Sequence, residues 1–102
     1  MKRGEVLMNV GRGDSVSTDA MLEALDSGRL AGAALDVFEQ EPLPAEHPLW
    51  RYPNVMLSAH MAGDFVGWRR ALGEQFVDNF QRWRQGRPLA NPVDTRRGYG
   101  RR

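Results

Sequence analysis

The chain has 102 residues, of which 41% are apolar and 26% charged, with a net charge of +1 and no cysteine. This size suits one small domain or a piece of a larger one, and the balance suits a soluble globular chain rather than a disordered tail or a nucleic-acid-binding surface. Disulfides, zinc knuckles, CxxC redox chemistry and a thiol nucleophile are excluded, and no apolar run approaches the roughly 20 residues of a membrane span. No signal-peptide stretch follows Met1-Lys2-Arg3-Gly4, so a cytoplasmic location is expected.

The first element is the apolar run Val6 to Val10. Like two later runs, Ala33 to Phe38 and Val55 to Ser58, it is bounded by Gly, Pro or Asn. Such runs suit strands buried on both faces of a parallel sheet. Between the first two lies a helix. Ser17 or Thr18 can cap it, Asp19 sits in its first turn, and Met21, Ala24 and Leu25 form its apolar face before Gly28 ends it. Strand, helix, strand makes a βαβ unit with a right-handed crossover. From Glu39 to Asn54, Pro42, Pro44, Pro48 and Pro53 forbid a long helix. This should be a surface excursion with one helical turn around Ala45 to Trp50, and ordered loops of this length are often functional.

A long helix is predicted from Asp64 to Gln85. Phe65, Trp68, Leu72, Phe76, Phe80 and Trp83 recur along it at helical spacing, and Gly86 and Pro88 end it. The tail from Arg87 should be extended. Its arginines, Arg96, Arg97, Arg101 and Arg102, are expected to be a solvated terminus.

In open parallel sheets, ligands bind beyond the carboxyl ends of the strands. Arg12 follows the first strand, Asp36 lies near the end of the second, Glu41 follows it, and His60 follows the third. Taken singly, Arg12 could be a turn residue, His60 a satisfied histidine, and Glu39, Glu41 and Glu46 solvated loop charges. Asp36 is different, because it interrupts an apolar strand and a carboxylate there needs a partner or a ligand. A metal site at His47 and His60 lacks a ligand cluster with the right spacing. Gly11-Arg12-Gly13 could open a G-x-G-x-x-G phosphate loop, but the sixth position is Val16, so that reading is rejected.

Three blocks carry a resemblance: MKRGEVLMNVGRGDSVS at residues 1–17, SGRLAGAALDVFEQEPLP at 27–44 and NVMLSAHMAG at 54–63. In this order they resemble the D-isomer-specific 2-hydroxyacid dehydrogenases, which include glyoxylate/hydroxypyruvate reductases and phosphoglycerate dehydrogenase. The resemblance implies an α/β fold, the second half of a doubly wound, Rossmann-like NAD(P)-binding domain. It implies hydride transfer between NAD or NADP and a small 2-keto or 2-hydroxy acid, in a homodimer.

Carried over position by position, Arg12 matches the substrate-carboxylate arginine, His60 the general acid/base, and Glu41 the carboxylate that bonds that histidine. Asp36 matches the acid at the nicotinamide end of the cofactor. Val10, Gly11, Arg12, His60, Met61, Ala62 and Gly63 match the segments lining the nicotinamide. The physics agrees with these roles. An alkoxide left by hydride transfer must be protonated, and histidine suits that near neutrality. A carboxylate neighbour favours the imidazolium and fixes its tautomer, and a guanidinium matches a substrate carboxylate bidentately.

Ser15, Ser17 and Ala59 depart from the family's usual residues without removing a functional group. The family's members are much longer, so the chain is expected to be a truncation or fragment. On this reading residues 1–63 are the C-terminal half of the cofactor domain, 64–86 a linking helix and 87–102 a tail of the substrate domain. The isolated piece is then expected to be inactive. A non-enzymatic NAD(H)-sensing regulator of the same family is the alternative reading.

Overall fold

The computed structural model describes residues 2–100, which form two compact units divided between Gly63 and Asp64. Arg101 and Arg102 of the basic tail lie outside the described residues, as does Met1.

The first unit is built on a three-stranded parallel sheet. Its strands are β1 (Glu5–Asn9), β2 (Leu30–Leu35) and β3 (Val55–Leu57), in the order β1-β2-β3. Helix α1 (Thr18–Asp26) connects the first two. Its start is set by Ser17, whose hydroxyl accepts from the Ala20 amide at 3.3 Å, satisfying one of the otherwise free donors of the first turn. Its end is followed by Gly28 at φ 64°, a conformation that favours glycine.

Strand β2 starts three residues before the apolar run that announced it. Gly32 makes this possible: a Cβ there would lie 2.5 Å from the Asn54 carbonyl oxygen, so only a bare backbone lets the approach to β3 come that close. The Ala33 amide donates to that same oxygen at 3.1 Å.

The core lies on one face of the sheet. Met21 and Leu25 of α1 pack with Leu30, Ala33 and Leu35 of β2 and with Leu49, which is 2% exposed. Leu49 belongs to a short 3-10 turn, Pro48–Arg51, inside the proline-rich excursion. That turn falls slightly later than predicted, because Pro48 at its first position suits a helical start and the His47 Nδ1 caps it by accepting from the Leu49 amide at 3.2 Å.

The opposite face corrects the expectation of strands buried on both sides. Val6, Met8 and Met56 are 61%, 69% and 73% exposed. Their side chains alternate with those of the core face, as the two-residue period of a strand demands, and no helix of this unit covers them.

The second unit holds helix α2 (Trp68–Arg84) and a small antiparallel pair, β4 (Val93–Asp94) with β5 (Tyr99–Gly100). The helix starts four residues later than the apolar spacing predicted. Gly67 at φ 90° stands in the left-handed region and cannot continue a right-handed helix backwards. Gly86 at φ 64° closes the far end, where the Arg87 amide returns to the Arg82 carbonyl at 2.9 Å. Leu72, Phe76, Phe80 and Trp83 of the predicted stripe are exposed. The tail is a hairpin rather than simply extended: the Arg97 and Gly98 amides both donate to the Asp94 carbonyl, at 3.0 and 2.8 Å. Among the described residues, no helix is long and apolar enough to cross a membrane.

Candidate active site

The sheet register places the chemistry. Asn9 of β1 pairs with Leu35 of β2, and Leu35 pairs with Leu57 of β3. The three strands therefore end level with one another, roughly 10 Å from first to last at the usual spacing of neighbouring strands. Arg12, Asp36, Glu41 and His60 all follow these ends, on the edge where open parallel sheets bind ligands.

The first loop is shaped by Asn9, a buried polar residue at the end of β1. Its Nδ2 donates to the Arg12 carbonyl at 2.9 Å, and its Oδ1 accepts from the Gly11 amide at 3.2 Å. One side chain thus folds the turn that presents Arg12. The Arg12 guanidinium is exposed, with Nη1 donating to the Gly11 carbonyl at 2.7 Å. It has no carboxylate partner among the ion pairs of the described residues, so most of its donors remain for an anion.

The loop after β2 carries Glu41, and its two oxygens have separate tasks. Oε1 accepts from the Phe38 amide at 3.0 Å, which fixes the carboxylate to its own loop. Oε2 lies 2.7 Å from Nδ1 of His60. The bond to His60, and then the one from Phe38, hold the Glu41 carboxyl below the usual glutamate range. With Nδ1 engaged, Nε2 is the nitrogen of His60 left to exchange a proton with a ligand. Beside this pair lies a largely apolar depression lined by Phe38, Pro42, Leu43, Trp50 and Leu57. Trp50 is pinned at its rim by a 2.8 Å bond from Nε1 to the Pro44 carbonyl.

Asp36 is buried, at 3% exposure, and answers the question that a carboxylate in an apolar strand raises. Its Oδ1 accepts from the Ser58 hydroxyl at 2.5 Å and the Met61 amide at 2.9 Å, and its Oδ2 from the Ala62 amide at 2.8 Å. The Ser58 hydroxyl first, then these amides, hold its carboxyl below the usual aspartate range. Asp36 therefore grips the loop that follows His60. Oδ2 has a single protein donor among these bonds, so one of its lone pairs is open to a further donor.

Val10 and Met61 are 57% and 53% exposed, and Gly11, Ala62 and Gly63 are exposed too. These segments offer apolar surface and bare backbone on the same edge. That donor and acceptor set fits a planar carboxamide-bearing ring. His47 is remote in chemistry from the pair, since its Nδ1 serves the 3-10 turn. Among the described residues, no three potential metal ligands converge.

Asn9 and Ser58 are the two site residues that the sequence reading passed over. Both are polar residues at the end of an apolar strand, the same signal that singled out Asp36.

Residues 1–62 match the family model for the NAD binding domain of D-isomer specific 2-hydroxyacid dehydrogenases. The chain belongs to that family. It is similar to the glyoxylate/hydroxypyruvate reductase A of Salmonella newport, with 42% identity over 94% of this chain and 30% of the relative. It is also similar to the glyoxylate reductase of Thermofilum pendens, with 49% identity over 78% of this chain and 23% of the relative. Among solved structures, a D-isomer specific 2-hydroxyacid dehydrogenase from Xanthobacter autotrophicus Py2, in complex with NADPH and MES, superposes with a TM-score of 0.86. That match has 44% identity and covers 97% of this chain and 40% of the other. The NADPH-dependent glyoxylate/hydroxypyruvate reductase of Sinorhizobium meliloti, in complex with NADP and sulfate, also gives 0.86. Its identity is 43%, over 94% of this chain and 30% of the other. The chain thus spans about a third of the length of these reductases, and its α/β architecture is that of their NAD-binding domain.

Proposed function

We propose that this chain supplies the catalytic edge of an NAD(P)-dependent oxidoreductase that interconverts small 2-keto acids and D-2-hydroxy acids. The observation that carries the reading is the His60–Glu41 pair at 2.7 Å, set on the sheet edge that also carries Arg12 and Asp36. The family membership and the activities for which the similar reductases are named support it. Because the chain spans about a third of those reductases, the activity is assigned to a complete enzyme that also supplies the phosphate-binding part of the cofactor site.

Arg12 binds the substrate carboxylate, its planar fork matching the two oxygens. This orients the keto group toward Nε2 of His60. Val10, Gly11, Asp36 and the segment His60 to Gly63 would hold the nicotinamide end of NAD or NADP, with Oδ2 of Asp36 accepting from its carboxamide. Bound there in reduced form, the cofactor supplies the hydride to the keto carbon. His60, as the imidazolium, donates a proton from Nε2 to the oxygen that becomes the hydroxyl. Glu41 stabilises that imidazolium and keeps Nδ1 pointed away from the substrate. In the oxidation direction the neutral ring takes the proton back.

In the same reading, residues 1–63 form the C-terminal half of the cofactor domain. Residues 64–86 link it to the substrate domain, and residues 87–102 belong to that domain. The working enzyme is a cytoplasmic homodimer. The test is oxidation of NADH and NADPH by the complete enzyme with glyoxylate or hydroxypyruvate. Acid-dependent oxidation supports the reading, and cofactor binding without turnover of any small 2-keto acid contradicts it.

A further inference from the structure

His60 has φ 51°. The left-handed region is uncommon for a residue with a β-carbon, and its occupancy in a loop has to be imposed by the surroundings. The imposing contacts can be named, and they bracket His60 in the chain. Two residues before it, the Ser58 hydroxyl donates to Oδ1 of Asp36 at 2.5 Å. One and two residues after it, the Met61 and Ala62 amides donate to the same carboxylate at 2.9 and 2.8 Å. Ser58 is itself anchored, since its own amide donates to the Leu35 carbonyl at 2.9 Å. Asp36 is anchored likewise through its amide, which donates to the Asn9 carbonyl at 2.9 Å.

We infer that Ser58 is a positioning residue: its hydroxyl locks the Asp36 carboxylate in the orientation that grips the Met61 and Ala62 amides and so holds His60 in its left-handed turn against Glu41. A carboxylate in a strand end can rotate about its terminal torsion. The Met61 and Ala62 amides take one oxygen each of the carboxylate, but they belong to the loop being held. The Ser58 hydroxyl is the donor that comes from the sheet side, and it ties the orientation to β3. Without it, carboxylate and loop can turn together, and the imidazole loses its registration with Glu41. A methyl group in place of the hydroxymethyl group would also leave Oδ1 one donor short in a buried position.

The kinetic consequence rests on the reading of His60 as the proton donor, whereas the clamp itself rests on geometry alone. Two measurements keep these apart. The first is amide hydrogen exchange followed by NMR. In the unmodified protein the Met61 and Ala62 amides should exchange far more slowly than the exposed Gly63 amide, after correction for intrinsic rates. In Ser58→Ala that protection should be lost, and in Ser58→Thr, which keeps a hydroxyl, it should return. Equal rates for Met61, Ala62 and Gly63 in the unmodified protein overturn the clamp, whether or not Ser58→Ala folds. The second is steady-state reduction by the complete enzyme. Ser58→Ala should lower kcat by up to about 100-fold, the effect of a displaced catalytic group, with KM for the keto acid little changed because Arg12 is untouched. Ser58→Thr should recover most of the rate. An unchanged kcat in Ser58→Ala, or a loss that Ser58→Thr does not recover, overturns the positioning role. If the unmodified enzyme turns over no keto acid, the functional reading fails, while the exchange rates still decide the clamp.

Discussion

Gly13 lies directly against the carbonyl of Phe38. A Cβ built on Gly13 would overlap that carbonyl and lie 2.6 Å from the Glu39 nitrogen. The loop that presents Arg12 and the loop that presents Glu41 are therefore in backbone contact, one residue from Arg12 on one side and two to three residues from Glu41 on the other. Gly13→Ala must push them apart. Overpacking of this kind costs about 1–3 kcal/mol, which urea denaturation would register. In the complete enzyme, KM for the keto acid should rise and kcat should fall together. Gly73→Ala is the contrasting case: its Cβ would meet nothing within 4 Å in the interior of α2, and it should stabilise that helix by about 0.5–1 kcal/mol.

Arg12→Lys separates charge from shape. Lysine keeps the positive charge but offers a point instead of a planar fork. Loss of one charge-assisted hydrogen bond corresponds to roughly a 10- to 100-fold fall in kcat/KM toward 2-keto acids. Cofactor affinity should change much less, because Arg12 meets the substrate through its side chain. Unchanged kcat/KM in steady-state assays would remove Arg12 from the substrate site.

The two bonded carboxylates make stability depend on pH in a defined direction. Asp36 and Glu41 both have lowered values in the folded protein, so the unfolded chain takes up protons first as pH falls. Their contribution is complete above the ordinary carboxylate range, around pH 4–5, and disappears as pH drops through the lower folded values. Urea midpoints measured from about pH 7 down to about pH 3 should fall with acid. Glu41→Gln should flatten part of that slope, and an unaltered slope would mean that the carboxylate's bonds to His60 and Phe38 do not persist in solution.

Much of this arrangement was legible in the residues themselves. The three apolar runs, the Ser17 cap and Gly28 locate the strands and α1, because buried strands and helix ends leave strong local signals. Arg12, Asp36, Glu41 and His60 could be placed on one edge because a parallel βαβ unit aligns its strand ends. The start of α2 was misread because apolar spacing runs on through Phe65, whereas the backbone at Gly67 turns left-handed, and spacing does not report φ. The hairpin from Val93 to Gly100 was missed because two-residue strands carry no periodicity. The bare face of Val6, Met8 and Met56 was unforeseen because a continuous apolar run states only that a strand can be covered on both sides. Asn9 and Ser58 were missed for another reason. Their role lies in which atoms they meet, Gly11 and Arg12 for one and Asp36 for the other, and those meetings depend on tertiary register.

The central claim is that His60 carries the proton and Glu41 holds its ring for that task, and the steady-state rates of the complete enzyme in both directions test it most directly. Reduction needs the imidazolium and oxidation the neutral ring. His60→Ala should depress both directions at every pH by about 10²- to 10⁴-fold, the usual contribution of a general acid–base group. Glu41→Gln removes the negative charge 2.7 Å from Nδ1 but can keep a hydrogen bond. Its rate should therefore fall in both directions, but by less than that of His60→Ala. A His60→Ala enzyme that retains its rate would contradict the account, and so would a Glu41→Gln enzyme whose rates are unaltered.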